Sequence, residues 1–183
     1  TSGLKDLYDY SKMAKRHDVI VVRINYRLGP FGWFTHPSIQ DFQSGIDKSS
    51  NFGTLDIIAA LHWVHENIHL FGGDPENVTI FGESAGGHNV FSLLVSEKSK
   101  GLFHKAIAMS GYTTSITPID AYKPKKLSST STYSSWNVVN NILNDQVQSS
   151  PNKEYSSEEI RGILLNLTSE EFFKYYSERE TYE

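Results

Sequence analysis

The chain has no cysteine among its 183 residues, which excludes disulfides, thiolate metal sites and a cysteine nucleophile together. It also lacks any apolar run near the ~18 residues that a membrane-spanning helix needs. No signal-peptide pattern opens at Thr1, although the first residue is not Met and the sequence begins in mid-pattern. Basic residues are sparse. The net charge is −4, and no basic cluster exceeds residues 123–126, so no nucleic-acid partner is expected. No internal repeat is present. The length suffices for one domain with a real core.

What is present is an alternation of β-branched runs and helical stripes. Leu4, Leu7, Tyr8, Met13 and Ala14 suggest an amphipathic helix, closed by the charged residues 15–18. Residues 19–24 form a continuous β-branched run, as expected of a strand buried on both faces of a parallel sheet. Residues 28–53, rich in Gly, Pro, Ser and Asp, read as a long loop region. A helix is predicted from Thr54 to about Leu70, with Ile57, Leu61, Val64 and Ile68 in one stripe. Strands are predicted over 78–81 and 106–109, with a helix from Ala85 to roughly Ser96 between them. This order predicts an α/β fold with a mostly parallel sheet flanked by helices.

Past residue 111 the composition changes. Residues 123–135 are a Lys/Ser/Thr/Tyr stretch, expected to be exposed and mobile. A helix is predicted over 136–147, and the capping-box patterns Ser156-x-x-Glu159 and Thr168-x-x-Glu171 open two more. We read residues 1–117 as the central part of one domain. Residues 118–183 read as an exposed linker plus helices belonging to the same domain.

The chemistry concentrates in residues 71–87, Phe-Gly-Gly-Asp-Pro-Glu-Asn-Val-Thr-Ile-Phe-Gly-Glu-Ser-Ala-Gly-Gly. A short apolar run leads into Gly82-x-Ser84-x-Gly86 and then into a helix, the order that a strand, nucleophile elbow and helix require. Gly82 and Gly86 are expected to leave room where a Cβ would collide with the crossing chain. Ser84 would stand at a helix N-terminus, where free N–H groups and the helix dipole favour negative charge.

These residues resemble the type B carboxylesterases, the cholinesterase-like branch of the α/β-hydrolases. The resemblance extends over 21–32 (with Asn25-Tyr26-Arg27-Leu28-Gly29), 51–56, 61–68 and 103–111; beyond 111 only a pattern of helices matches. It implies a partial α/β-hydrolase fold with a C-terminal helical segment in the gorge-covering region. It further implies carboxylic-ester hydrolysis with Ser84 as nucleophile and the Ala85 N–H as oxyanion donor, without cofactor or metal. The partner implied is a small-molecule ester. Disulfides are common in secreted animal relatives, so their absence resembles a microbial member. The location is left unknown by the sequence, the resemblance pointing to secretion or the periplasm. The oligomeric state is not legible.

Glu83 is read either as electrostatic support for the serine or as a buried, hydrogen-bonded structural acid. Arg27 and Asp56 match family positions, where a structural ion pair is favoured over a catalytic role. Ser110 is placed near the site as a supporting hydrogen-bond group, and Tyr112 begins the stretch where relatives build the acyl pocket; both are candidate substrate contacts. Residues 112–115 depart from the Trp-bearing pattern of cholinesterases, which argues against choline esters. His88 replaces the small residue often found there and reads as an ordinary helix residue.

In this fold the triad runs Ser, then Asp or Glu, then His. After Ser84 the only histidines are His88 and His104, and neither follows a later strand. We therefore assign neither acid nor base within the chain. The expectation is a fragment, nearly inactive alone, of an active parent.

Two rival readings remain. His65-Glu66-Asn67-Ile68-His69 is a literal H-E-x-x-H zincin motif, with His62 on the same flank, but it lacks a secure third ligand. A non-catalytic adhesion or binding relative is the other, disfavoured by the intact elbow. The sequons at Asn77 and Asn166 are read as chance.

Overall fold

A computed structural model describes residues 9–113, 115–122, 134–146 and 153–177. These fall into two compact units, residues 1–32 with 51–115, and residues 33–50 with 116–183.

The first unit is built on a βαβ element. Strand β1 (Thr79–Glu83) pairs in parallel with β2 (Lys105–Met109), Thr79 opposite Lys105 and Glu83 opposite Met109. The parallel order requires a crossover, which the helix Ala85–Val95 supplies. Helix α1 is Ser11–His17, its last turn carrying Lys15, Arg16 and His17 and its end turned by Asp18 in the left-handed region; cations there complement the helix dipole. The leucines at 4 and 7 and Tyr8, expected in the same helix, lie outside the described residues. The long helix Phe52–Asn67 continues as a 3₁₀ turn, Ile68–Phe71. Its predicted stripe of Ile57, Leu61, Val64 and Ile68 is buried along its whole length. Ile57, Ile58 and Leu61 meet Ile80, Val90, Leu93 and Leu102 in one apolar core, with Ile24, Tyr26 and Val78 packed against it.

Residues 19–24 do not form the predicted strand. They have no regular secondary structure, and Val19, Ile20 and Val22 are exposed. β-branching disposes a segment to extend, but a strand exists only where another backbone pairs with it. Among the described residues the sheet contains β1 and β2 alone.

The expected loop over 28–53 is also more ordered than its composition suggests. It contains α2 (Gly29–Trp33), α3 (Pro37–Gln40) and a 3₁₀ turn at Gly45–Ser49, before Phe52–Asn67 (α4) begins. Proline at the first position of α3 suits a helix start, and the His36 side chain caps that helix. With Ala85–Val95 as α5, the second unit adds α6 (Pro118–Tyr122), α7 (Ser135–Gln146), α8 (Ser157–Asn166) and α9 (Ser169–Ser177). Val138, Val139 and Ile142 of α7 are fully buried. Both predicted capping boxes form. Glu159 N–H donates to Ser156 Oγ while Ser156 N–H donates to Glu159 Oε2, and Thr168 and Glu171 make the same reciprocal pair. The stretch expected to be exposed and mobile lies outside the described residues over 123–133; its last two residues, Ser134 and Ser135, are buried at the start of α7.

Candidate active site

Ser84 joins β1 to α5 with φ 53° and ψ −115°, a region that non-glycine residues occupy only where the surroundings enforce it. Three contacts enforce it here. Ser84 N–H donates to Met109 O across the sheet end (2.9 Å), and His88 N–H donates to Ser84 O (3.1 Å) as α5 begins. A Cβ on Gly82 would lie 2.5 Å from the carbonyl oxygen of Gly86, so glycine at 82 is what lets the strand pass under the first helical turn. The matching expectation for Gly86 fails, since a Cβ there would meet nothing within 4 Å. The close approach depends on Gly86 backbone atoms and not on the space beside its Cα.

Serine at an N-cap ordinarily spends its hydroxyl on the helix. Ser84 makes no side-chain cap hydrogen bond and is exposed, so its Oγ stands free of the helix among the described residues. The first N–H groups of α5, that of Ala85 included, have no intrahelical acceptor. They gather partial positive charge beside that oxygen, favourable to an oxyanion.

A second support was not legible beforehand. Ser110, directly after β2, also has a positive φ of 52°. Gly111 then passes so close to α5 that a Cβ on it would lie 2.5 Å from the Gly87 carbonyl carbon, and one on Gly87 would lie 2.8 Å from Met109 O. This glycine pair seats the first turn of α5 on the end of β2. The doubled glycine at 86–87 and the Ser-Gly at 110–111 were its only traces in the sequence. Ser110 is thereby brought beside Ser84, though their hydroxyls make no hydrogen bond to each other among the described residues.

Glu83 occupies the last position of β1 and is exposed among the described residues. Tyr112 is 66 % exposed and its ring meets that of His88, 4.9 Å between centroids. His104 is unsuited to serve Ser84. It lies at the start of β2, where its Nδ1 accepts from Val78 N–H (3.2 Å) and its Nε2 is 3.6 Å from Glu76. Ser84 stands at the other end of the strands, roughly five residues of ~3.3 Å rise away. Ser84 Oγ has no histidine hydrogen-bonded to it among the described residues.

Arg27 and Asp56 form the expected structural pair. Arg27 Nη2 and Nε donate to the two carboxylate oxygens at 2.7 and 2.8 Å, and the Arg27 backbone N–H donates to Oδ2 at 2.9 Å. The guanidinium holds the Asp56 carboxyl below its ordinary range, chiefly through these side-chain bonds. It also lies over the Phe52 ring. The pair thus ties the turn at 27 to the start of α4.

In the H-E-x-x-H segment, His62, His65 and His69 are all exposed, and α4 gives way to the 3₁₀ turn at Ile68. His65 and His69 therefore sit in different kinds of helix. No group of three His, Cys, Asp or Glu residues placed to share a metal occurs among the described residues. No helix there is long and apolar enough to cross a membrane.

Comparison with known proteins agrees with this geometry. A family model described as "Carboxylesterase family" matches residues 1–178. The chain is 52 % identical over 116 residues to the para-nitrobenzyl esterase of Bacillus subtilis (strain 168), covering 63 % of this chain and 23 % of that protein. It is 46 % identical over 171 residues to a human protein named cocaine esterase, covering 92 % and 26 %. A solved PNB esterase superposes with a TM-score of 0.75 at 36 % identity, over 100 % of this chain and 32 % of that one. The chain thus spans less than a third of the length of these relatives. Its fold is that of an α/β-hydrolase, and the chain belongs to the carboxylesterase family.

Proposed function

We propose that the whole polypeptide hydrolyses carboxylic esters of small molecules through an acyl-enzyme on Ser84. The observation that carries this reading is the left-handed Ser84, held at a strand end and a helix start with its hydroxyl withheld from capping. Family membership supports it, as do relatives whose names are those of esterases.

In the reaction, Ser84 Oγ attacks the ester carbonyl carbon and its proton passes to a histidine base. The carbonyl oxygen becomes an oxyanion, held by the Ala85 N–H at the positive end of α5. Collapse expels the alcohol, which takes the proton, and leaves the acyl group on Ser84. Water, deprotonated by the same base, then releases the acid. The base and its carboxylate partner follow the serine in this fold. They belong to parts of the polypeptide beyond the described residues, as the greater length of the relatives supports. Ser110 supports the elbow, and Tyr112 contacts the acyl side. Glu83, exposed beside the serine, acts through its field alone.

The test is turnover of a p-nitrophenyl ester by the whole polypeptide and by its Ser84→Ala variant. Loss on the order of 10⁶ in kcat is expected, as for removal of a comparable nucleophile. Native-like turnover by the variant would sink the reading, and a hydrolysis that chelators abolish would favour the H-E-x-x-H histidines, His65 and His69, instead.

A further inference from the structure

Ester hydrolysis leaves the Asn77-Val78-Thr79 sequon unused. Such a triplet means little where it runs into a buried strand, but β1 begins only at Thr79, which is itself exposed. Asn77, also exposed, closes the turn before it. Its N–H donates to Asp74 O at 3.1 Å, and the Glu76 N–H donates to Asp74 Oδ1 at 2.9 Å, the side-chain bond of an Asx turn.

The Asn77 amide is held in one sense. Its Oδ1 accepts from Nζ of Lys105, the residue opposite Thr79 in the parallel register. That bond occupies the oxygen and leaves Nδ2 without a hydrogen-bond partner among the described residues. The Thr79 hydroxyl has none there either. A turn, a free amide nitrogen and a free hydroxyl thus coincide at the Asn-x-Thr spacing. The second sequon differs. Asn166 is the last residue of α8, and the Thr168 hydroxyl is already committed to Glu171 at 2.8 Å.

We propose that Asn77 is an N-glycosylation site, taking an oligosaccharide from a polyprenyl-pyrophosphate carrier. In the transfer Nδ2 bonds to the anomeric carbon of the first sugar and loses one proton. The bond from that carbon to the carrier's pyrophosphate oxygen breaks, and the pyrophosphate leaves with the electron pair. Oδ1 is not consumed, so the Lys105 contact survives attachment. A glycan is bulky and needs open solvent, which the exposed turn supplies. It stands before the start of β1, whose five residues of ~3.3 Å rise separate it from Ser84, and so does not crowd that serine. The inference does not rest on the esterase reading. It places the polypeptide in a compartment that holds the glycosyl donor.

The experiment takes the whole polypeptide from its native cells, treats it with peptide N-glycosidase in heavy-oxygen water and maps the peptides by mass spectrometry. The glycosidase converts a glycosylated asparagine to aspartate, and the heavy oxygen marks that conversion against earlier deamidation. The Asn77 peptide should be recovered chiefly as labelled aspartate; recovery as unmodified asparagine overturns the proposal. Thr79→Ala and Thr79→Ser, made in the same cells, test the route of attachment, and both keep the backbone pairing of β1. Labelled aspartate should be lost in the alanine variant, which retains Asn77 without the hydroxyl, and kept in the serine variant. Labelling that persists in Thr79→Ala overturns attachment through the sequon.

Discussion

The two compact units hold themselves together by different means. In the first, an apolar core of α4, α5 and β1 side chains supports a turn fixed by backbone contacts, with glycine at 82, 87 and 111 wherever two stretches of chain nearly touch. In the second, much of the buried set is polar. Thr35, His36, Ser38, Ser134 and Ser135 are all buried alongside the aliphatic side chains of α7. The first arrangement suits a strained conformation, because backbone contacts leave the serine no alternative position. The second keeps an imidazole buried and neutral among these polar groups, so it is the unit that pH should reach.

The largest effect should come from Gly82→Ala. Its new Cβ would meet the backbone of Gly86, which cannot turn aside as a side chain can. Overpacking of this kind costs about 1–3 kcal/mol or more. The heavier consequence is displacement of Ser84, for which misplacement by about 1 Å costs on the order of 100-fold in rate. The rate of fluorophosphonate labelling measures it. Gly86→Ala, with open space at its Cβ, should be far milder, and equal losses in the two variants would break the distinction drawn between them.

The second unit offers the next largest effect. His36 is 2 % exposed, its Nδ1 accepts from Ser38 N–H (3.2 Å) at the start of α3, and its ring stacks on Trp136. Burial pushes its pKa down to about 4 from 6.5, with the nearby Asp41 carboxylate opposing the shift. The folded value lies below the unfolded one. The stabilisation is therefore fully present above pH 6.5 and is lost as pH falls toward 4, by about 3 kcal/mol in all. Urea unfolding across that interval should show the loss in the native chain. His36→Asn, which can still cap but does not titrate, should show a flatter profile.

The contrast between the units also explains what the sequence disclosed. The strand, turn and helix around Ser84, the buried stripe of α4 and both capping boxes were readable because each follows from local spacing: a turn signature, a helical period, a three-residue offset. Residues 19–24 were misjudged because a strand needs a partner that local pattern does not supply. The helices within 28–53 were missed because Gly, Pro and Ser there start short helices as well as loops, with His36 as an unusual cap. The approach of Gly87 to Gly111 joins residues far apart in sequence, and no local signal marks such a contact.

Smaller effects refine the comparison. Ser156→Ala removes the cap of α8 and should cost about 1 kcal/mol by urea unfolding, with no effect on ester turnover. Asp56→Asn breaks a partly exposed pair in the first unit, worth about 0.2–1 kcal/mol. Because Arg27 holds the folded pKa of Asp56 below its ordinary value, that stability is present above about pH 4 and is lost as pH falls through the folded pKa. The difference between native and Asp56→Asn should thus shrink below about pH 4, opposite in position to the His36 effect.

The central claim is that backbone geometry makes the hydroxyl of Ser84 the nucleophile, although Ser110 beside it shares a positive φ. Peptide mapping of the whole polypeptide after fluorophosphonate treatment tests this most directly. The account predicts a single adduct on the peptide containing Ser84, absent in Ser84→Ala; an adduct on Ser110, or labelling that persists in Ser84→Ala, would contradict it.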